Sequence, residues 1–328
     1  MIRGKAAGLR RLGALAALTG LSGCGSDKWL HAYWLVNPTG LMAGANLHAW
    51  IVDTAATFLV IGPTTLLVMW AIWRYRRATG KGRYMPNWTH SIELEASFWG
   101  IPVVLVIALG YFALRSAFAV DPADPGLMAP GGSRDANKPA INIDVVTTDW
   151  QWLFIYPDKH IAAANELVVP VNTPIRFRLT SATVVADFFI PQLVGQIDVM
   201  PGMRTRQAMI AYRTGDYQGF SSDYTGAGFS WMGFVTHVVK PDAFAAWEAK
   251  AAQSPDHLDQ AAFEKFATPT INKDGHVTEF SHVKDGLFDD VLMNVMNGRV
   301  YPTPPDFTEK KVHEKNGGRQ PTSAATPS

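Results

Sequence analysis

Apolar and polar positions along the chain follow three different periods. Residues 54–73 carry no charge over 20 positions, and residues 96–114 carry none over 19. A 20-residue helix is about 30 Å long, the thickness of a bilayer's hydrocarbon core. Two membrane-spanning helices are therefore predicted, near 50–74 and 94–116. Pro63 and Pro102 fall inside them, which a membrane helix tolerates. From about residue 140 the period shortens to two. Ile141, Ile143 and Val145 alternate with Asn142 and Asp144, and Ile175, Phe177 and Leu179 with Arg176 and Arg178. Short strand candidates follow at 151–156, 166–171, 187–190, 206–211 and 229–239, punctuated by Gly, Pro, Asn and Asp. Such a series predicts a β-sandwich over 140–240.

Beyond it the period returns to helical. Residues 241–252 read as a short helix carrying Phe244 and Trp247. Ser254-Pro255-Asp256 reads as a second helix start, a polar cap followed by Pro and an acid, with Leu258, Ala262, Phe263 and Phe266 on one face. Residues 301–328 are rich in Pro, Thr, Ser and Gly and predict a disordered tail. Residues 119–139, with Pro122, Pro125, Pro130, Gly131, Gly132 and Pro139, read as a linker.

Composition narrows the class. The chain has 328 residues, 48% hydrophobic and 17% charged, with a net charge of +1. So little basic excess argues against nucleic-acid binding. Residues 1–23 look like a signal peptide. Arg3, Lys5, Arg10 and Arg11 precede a short apolar core, which ends in Leu21-Ser22-Gly23-Cys24. Cys24, the one cysteine in the chain, stands where a bacterial lipobox needs it and is the candidate lipidation site. Arg74, Arg76, Arg77, Lys81 and Arg83 follow the first span, so the loop between the spans should face the cytoplasm. Both outer ends of the hairpin then lie outside, where a lipidated Cys24 must be.

One stretch carries a family signature. Residues 219–232 read Gly-Phe-Ser-Ser-Asp-Tyr-Thr-Gly-Ala-Gly-Phe-Ser-Trp-Met. They resemble the metal loop of subunit II of heme-copper respiratory oxidases, Cys-x-Glu-x-Cys-x-x-x-His-x-x-Met. On that pattern Ser221 and Thr225 stand at the two Cys positions, Asp223 at the Glu and Phe229 at the His, and Met232 is kept. The family's upstream His falls on Ala186, five residues before Pro191. Copper there needs soft thiolates and imidazoles, and one cysteine cannot supply two thiolates. The loss resembles the quinol-oxidase branch, the cytochrome bo-type ubiquinol oxidases.

The resemblance implies a membrane-anchored α+β chain. It would comprise a transmembrane hairpin over 24–118, a periplasmic cupredoxin-like Greek-key sandwich, and an aromatic-rich helical arm over 241–300. It implies subunit II of a proton-pumping ubiquinol oxidase in the bacterial inner membrane, with no cofactor of its own. Heme and copper would lie in the partner large subunit, subunit I. Other small membrane subunits, membrane lipids and, at the level of the complex, ubiquinol complete its partners. Glu95, in Glu95-Ala96-Ser97-Phe98-Trp99-Gly100-Ile101-Pro102, resembles the family's proton-uptake glutamate. An acid in a helix's first turn also answers the helix dipole, and Glu93 offers the same charge.

Two other readings stay open. One is a free-standing lipoprotein with a cupredoxin-like binding domain. The other is a copper-containing cytochrome c oxidase subunit II, against which the missing ligands speak. Among the remaining candidates, His237 reads as a satisfied core or interface histidine. Met200-Pro201-Gly202-Met203 invites a copper(I) reading, but methionine filling a sandwich edge is the commoner case. The aromatic run 150–156 reads as a surface packed against a partner subunit.

Overall fold

The computed structural model describes residues 37–76, 85–119 and 139–301. The signal segment with Cys24, most of the basic loop, most of the linker and the tail beyond Tyr301 lie outside these residues. Helix α1 spans Leu41–Arg74 and α2 spans Ile92–Ala119. Both have the length and hydropathy of membrane spans, with none of the most apolar window buried in the protein.

At 34 residues, α1 is about 51 Å long, some 20 Å more than a bilayer core requires. The surplus reaches the sandwich. The backbone N–H groups of Thr39 and Gly40 donate to Gln192 O at 2.8 and 3.0 Å, and that of Leu41 to Ile210 O at 3.1 Å. Met42 is buried in the sandwich core. Gly40 makes this approach possible, because a Cβ there would lie 2.4 Å from Leu193 O.

The sandwich contains β1 (Ile141–Thr148), β2 (Gln151–Tyr156), β3 (Ile161–Ala164), β4 (Glu166–Pro170), β5 (Ile175–Ser181), β6 (Ala186–Ile190), β7 (Val194–Val199), β8 (Thr205–Met209), β9 (Gly215–Phe220), β10 (Gly233–Val239) and β11 (Thr278–Phe280). One sheet has the order β11-β3-β2-β1-β5-β8 and the other β4-β10-β9-β6-β7. Pairing is parallel for β1 with β5 and for β10 with β4, and antiparallel elsewhere among these strands. This is the membrane-anchored sandwich that the sequence predicts.

Strands β1 and β2 are buried on both faces. Ile143, Val145, Trp152, Phe154 and Tyr156 face the core between the sheets. The C-terminal arm comprises α3 (Pro241–Ala251), which packs Phe244 and Ala251 into the same core, and α4 (Gln260–Phe266) and α5 (Leu287–Met296), which cover a second core faced by Val146, Leu153 and Ile155. The members of this second core include Leu258, Phe263, Leu287, Phe288 and Val291. The aromatic run is therefore interior. Trp150, Trp152, Phe154 and Tyr156 are at most 6% exposed, which corrects the expectation of a partner-facing surface. Period two puts every second residue of β2, and so all three of its aromatics, into the larger core.

Two boundaries also differ from the expectation. Ser254 does not open a helix. Its hydroxyl donates to Glu279 O at 2.6 Å and accepts from the Asp256 N–H at 3.2 Å, so the segment turns back against β11. Helix α4 starts at Gln260, where Asp259 accepts from the Ala262 N–H at 2.7 Å. Residues 229–231 form a 3-10 turn rather than the start of β10.

The aromatic core leaves no spare volume beside β9. A Cβ on Gly219 would meet the Phe234 ring at 2.1 Å. That ring is itself wedged 5.0 Å from Trp152 and 5.0 Å from Phe154, and stacked on Phe188 at 5.6 Å. Gly219→Ala should cost about 1–3 kcal/mol by overpacking, read from the thermal melt of the purified chain. The loss should be smaller in a Phe234→Leu background. Equal losses in both backgrounds would show that the ring does not set the limit.

Candidate functional site

Loop 221–232 joins β9 to β10 at one end of the sandwich, and its buried polar side chains, Ser221 and Thr225, have partners within the chain. Ser221 is 3% exposed. Its hydroxyl accepts from the Asp187 N–H and donates to Asp223 O, each at 3.0 Å. That places Ser221 against β6, next to the fully buried Ala186. The Thr225 hydroxyl lies 3.5 Å from Met232 Sδ, with both residues buried. Asp223 is exposed, and Phe229 is half-buried with its ring 5.6 Å from that of Tyr224.

Two tryptophans hold the loop from below. The Trp150 indole N–H donates to Thr225 O at 2.9 Å, and that of Trp152 to Met232 O at 3.3 Å. Gly228 lies flat on the Trp150 ring, where a Cβ would come within 2.2 Å of it. Trp150 adopts φ 70, a left-handed backbone that costs a bulky residue energy. The contacts with Gly228 and Thr225 retain it.

Asp187 adds a charge that sequence reasoning missed. It is 1% exposed, and the Ser222 hydroxyl donates to it. Burial pushes its carboxyl up from the usual range, the Ser222 bond lowers it, and Asp223 and Asp198 raise it further. An acid just after an alanine in a strand was the available signal. His237 is satisfied as expected, with Nδ1 2.6 Å from Asp216 and Nε2 3.3 Å from Glu166. Glu95 stands apart from this loop, exposed in the first turn of α2, with its N–H donating to Ser91 O at 2.9 Å.

The dinuclear copper of the wider family does not fit these residues. Ala186 and Phe229 offer no donor atom. The hydroxyls of Ser221 and Thr225 are hard where soft thiolates are required, and both already have partners in the chain. Among the described residues, no group of three or more His, Cys, Asp and Glu could hold a metal.

Residues 156–239 match the family model for the periplasmic domain of cytochrome c oxidase subunit II, and residues 252–299 match the aromatic-rich motif of the same oxidases. Ubiquinol oxidase subunit 2 of Acetobacter aceti is 37% identical over 290 residues, 88% of this chain and 89% of the relative. Cytochrome bo(3) ubiquinol oxidase subunit 2 of Pseudomonas putida is 39% identical over 252 residues, 77% of this chain and 76% of the relative. The chain belongs to the ubiquinol oxidase subunit II family. Among solved structures, the periplasmic domain of subunit II of cytochrome oxidase from Bradyrhizobium japonicum aligns with 34% of this chain and 91% of its own, with 28% identity and a TM-score of 0.33.

As a ubiquinol oxidase subunit II, the chain is an inner-membrane protein of a respiratory heme-copper oxidase, with its sandwich periplasmic. The aromatic-rich motif at 252–299 coincides with α4, β11 and α5, which close the second core over β1 and β2.

Incubating the purified chain with cupric ion and desalting it should leave no near-infrared band of a mixed-valence copper pair. Optical spectra with elemental analysis check this. A stoichiometric copper pair with that band would contradict the reading of the loop.

Proposed function

We propose that this chain is the redox-silent, non-catalytic subunit of a proton-pumping ubiquinol oxidase. It braces the heme-bearing subunit I through α1 and α2 and caps it on the periplasmic side. Ubiquinol gives two electrons and two protons, and oxygen takes four of each to form two waters. The hemes and copper that pass those electrons belong to the large subunit. The observation that supports this reading is the loop 221–232, in which the Ser221 hydroxyl and the carbonyls of Thr225 and Met232 bond the chain itself. The continuous helix α1 supports the bracing role, because it ties the sandwich to the membrane without a flexible joint.

Two further roles complete the reading. Cys24, outside the described residues, carries the lipid anchor on the periplasmic face and adds membrane lipid to the partners. Glu95 collects protons at the cytoplasmic edge of α2 for the large subunit. An exposed carboxylate beside the apolar residues Phe98 and Trp99 supports this role, since an ionisable group at membrane depth is a functional candidate.

One preparation tests the whole reading. Tagged chain purified in mild detergent should bring with it a heme-bearing subunit and quinol oxidase activity, together with other small membrane subunits. Its intact mass should show Cys24 as an acylated N-terminus. Glu95→Ala and Glu95→Gln should keep the heme content and slow turnover, while Glu93→Ala leaves turnover unchanged. Purification without heme would overturn the assignment as a subunit. Normal turnover in both Glu95 variants would leave that residue as a helix-start charge.

A further inference from the structure

The loop between β7 and β8 meets helix α5 of the C-terminal arm. Met200-Pro201-Gly202-Met203 is a tight turn, in which the Met203 N–H donates to Met200 O at 3.2 Å and Gly202 has φ 71. Two contacts align this turn with α5. Arg204 lies 3.8 Å from Asp289. A Cβ on Gly202 would lie 3.5 Å from Met296 Cγ. Asp289, Met293 and Met296 stand at i, i+4 and i+7 of α5, one row of a helix. The two ends of the row are fixed at Arg204 and Gly202. Met203 lies between the two contacting residues of the turn, and Met293 between their two partners on α5.

These methionines do not behave as core fillers. Met203, Met293 and Met296 are 53%, 51% and 60% exposed, whereas Met209 and Met232 are buried. The turn is thus not the packed sandwich edge that the sequence suggested. The nearby carboxylate, Asp289, is engaged by Arg178 and Arg204. What remains on the surface is three neutral thioethers on adjoining elements.

A thioether is a soft donor with no proton to lose, and such donors select copper(I) over zinc, magnesium or calcium. We propose that Met203, Met293 and Met296 form a surface site for a cuprous ion. The site uses no atom of loop 221–232. It is a binding site only and passes no electron in the oxidase reaction.

The test uses the full chain in detergent, reduced and oxygen-free, titrated against copper(I) held by a chromogenic chelator. Wild type should withdraw one cuprous ion per chain. Each of Met203→Leu, Met293→Leu and Met296→Leu should weaken retention by about tenfold or more, at least what the loss of an outer-shell partner costs a metal site. The triple variant should retain none. Leucine keeps the volume, and an unchanged thermal melt confirms that the fold persists. Met232→Leu should bind as wild type, and zinc should not compete. The proposal is overturned if wild type withdraws no copper, if the triple variant binds as wild type does, or if Met232→Leu alone abolishes binding.

Discussion

Two indole N–H groups set the terms for one end of the sandwich. Trp150, in the turn between β1 and β2, and Trp152, at the start of β2, bond the carbonyls of Thr225 and Met232 in the loop between β9 and β10. A buried carbonyl without a donor costs roughly 1–3 kcal/mol, so these bonds define where loop 221–232 can sit. With the loop so placed, Gly228 must lie against Trp150 and the Ser221 hydroxyl must turn to the β6 backbone. A loop that elsewhere in the family holds two coppers is here held by the chain's own donors.

The same two strands serve a second purpose. Because β1 and β2 are buried on both faces, the C-terminal arm is part of the fold rather than an appendage. Arg178 fastens it. Its guanidinium meets buried Asp144 at 2.5 and 2.6 Å, reaches Asp289 of α5 at 3.4 Å, and lies 4.8 Å over the Phe288 ring. Burial pushes the Asp144 carboxyl up and the Arg178 bond opposes that, while the same bond raises the guanidinium. The buried pair ties the arm to the sheet by geometry more than by net electrostatic gain. At the other edge, α1 enters the sandwich through Gly40. Membrane helix α1, sandwich and arm thus form one connected body, which the proposed bracing role requires.

What could be read from the sequence followed from how each element is buried. The two spans were legible because lipid demands a long uncharged run. Strands β5 and β10 were legible because alternation survives where one face meets a core, and β1 by the alternation of its first residues, Ile141 to Val145. Strand β3 was not, since Ile161-Ala162-Ala163-Ala164 has no alternation and is rich in a helix former. Helix α5 lacked a polar cap, because Gly286 precedes it with φ 72. The family of loop 221–232 was legible by the order and chemistry of its residues. The hydrogen bonds that hold the loop were not, because Trp150 and Thr225 meet only through the tertiary fold. The partner-facing reading of the aromatic run failed for the same reason. Period two shows that a face is buried, not what covers it.

The central claim is that indole and hydroxyl bonds hold the vacated loop as firmly as the strands beside it. Hydrogen exchange of peptides covering 221–232, in wild type and in Trp152→Phe, tests it directly. The variant keeps an aromatic ring but loses the donor to Met232 O. In wild type the bonded amides of Phe229, Trp231 and Met232 should be protected as well as those of β9 and β10. In the variant the loop should exchange faster while both strands keep their protection. A wild-type loop that exchanges like an open surface loop, or a variant indistinguishable from it, would contradict the account.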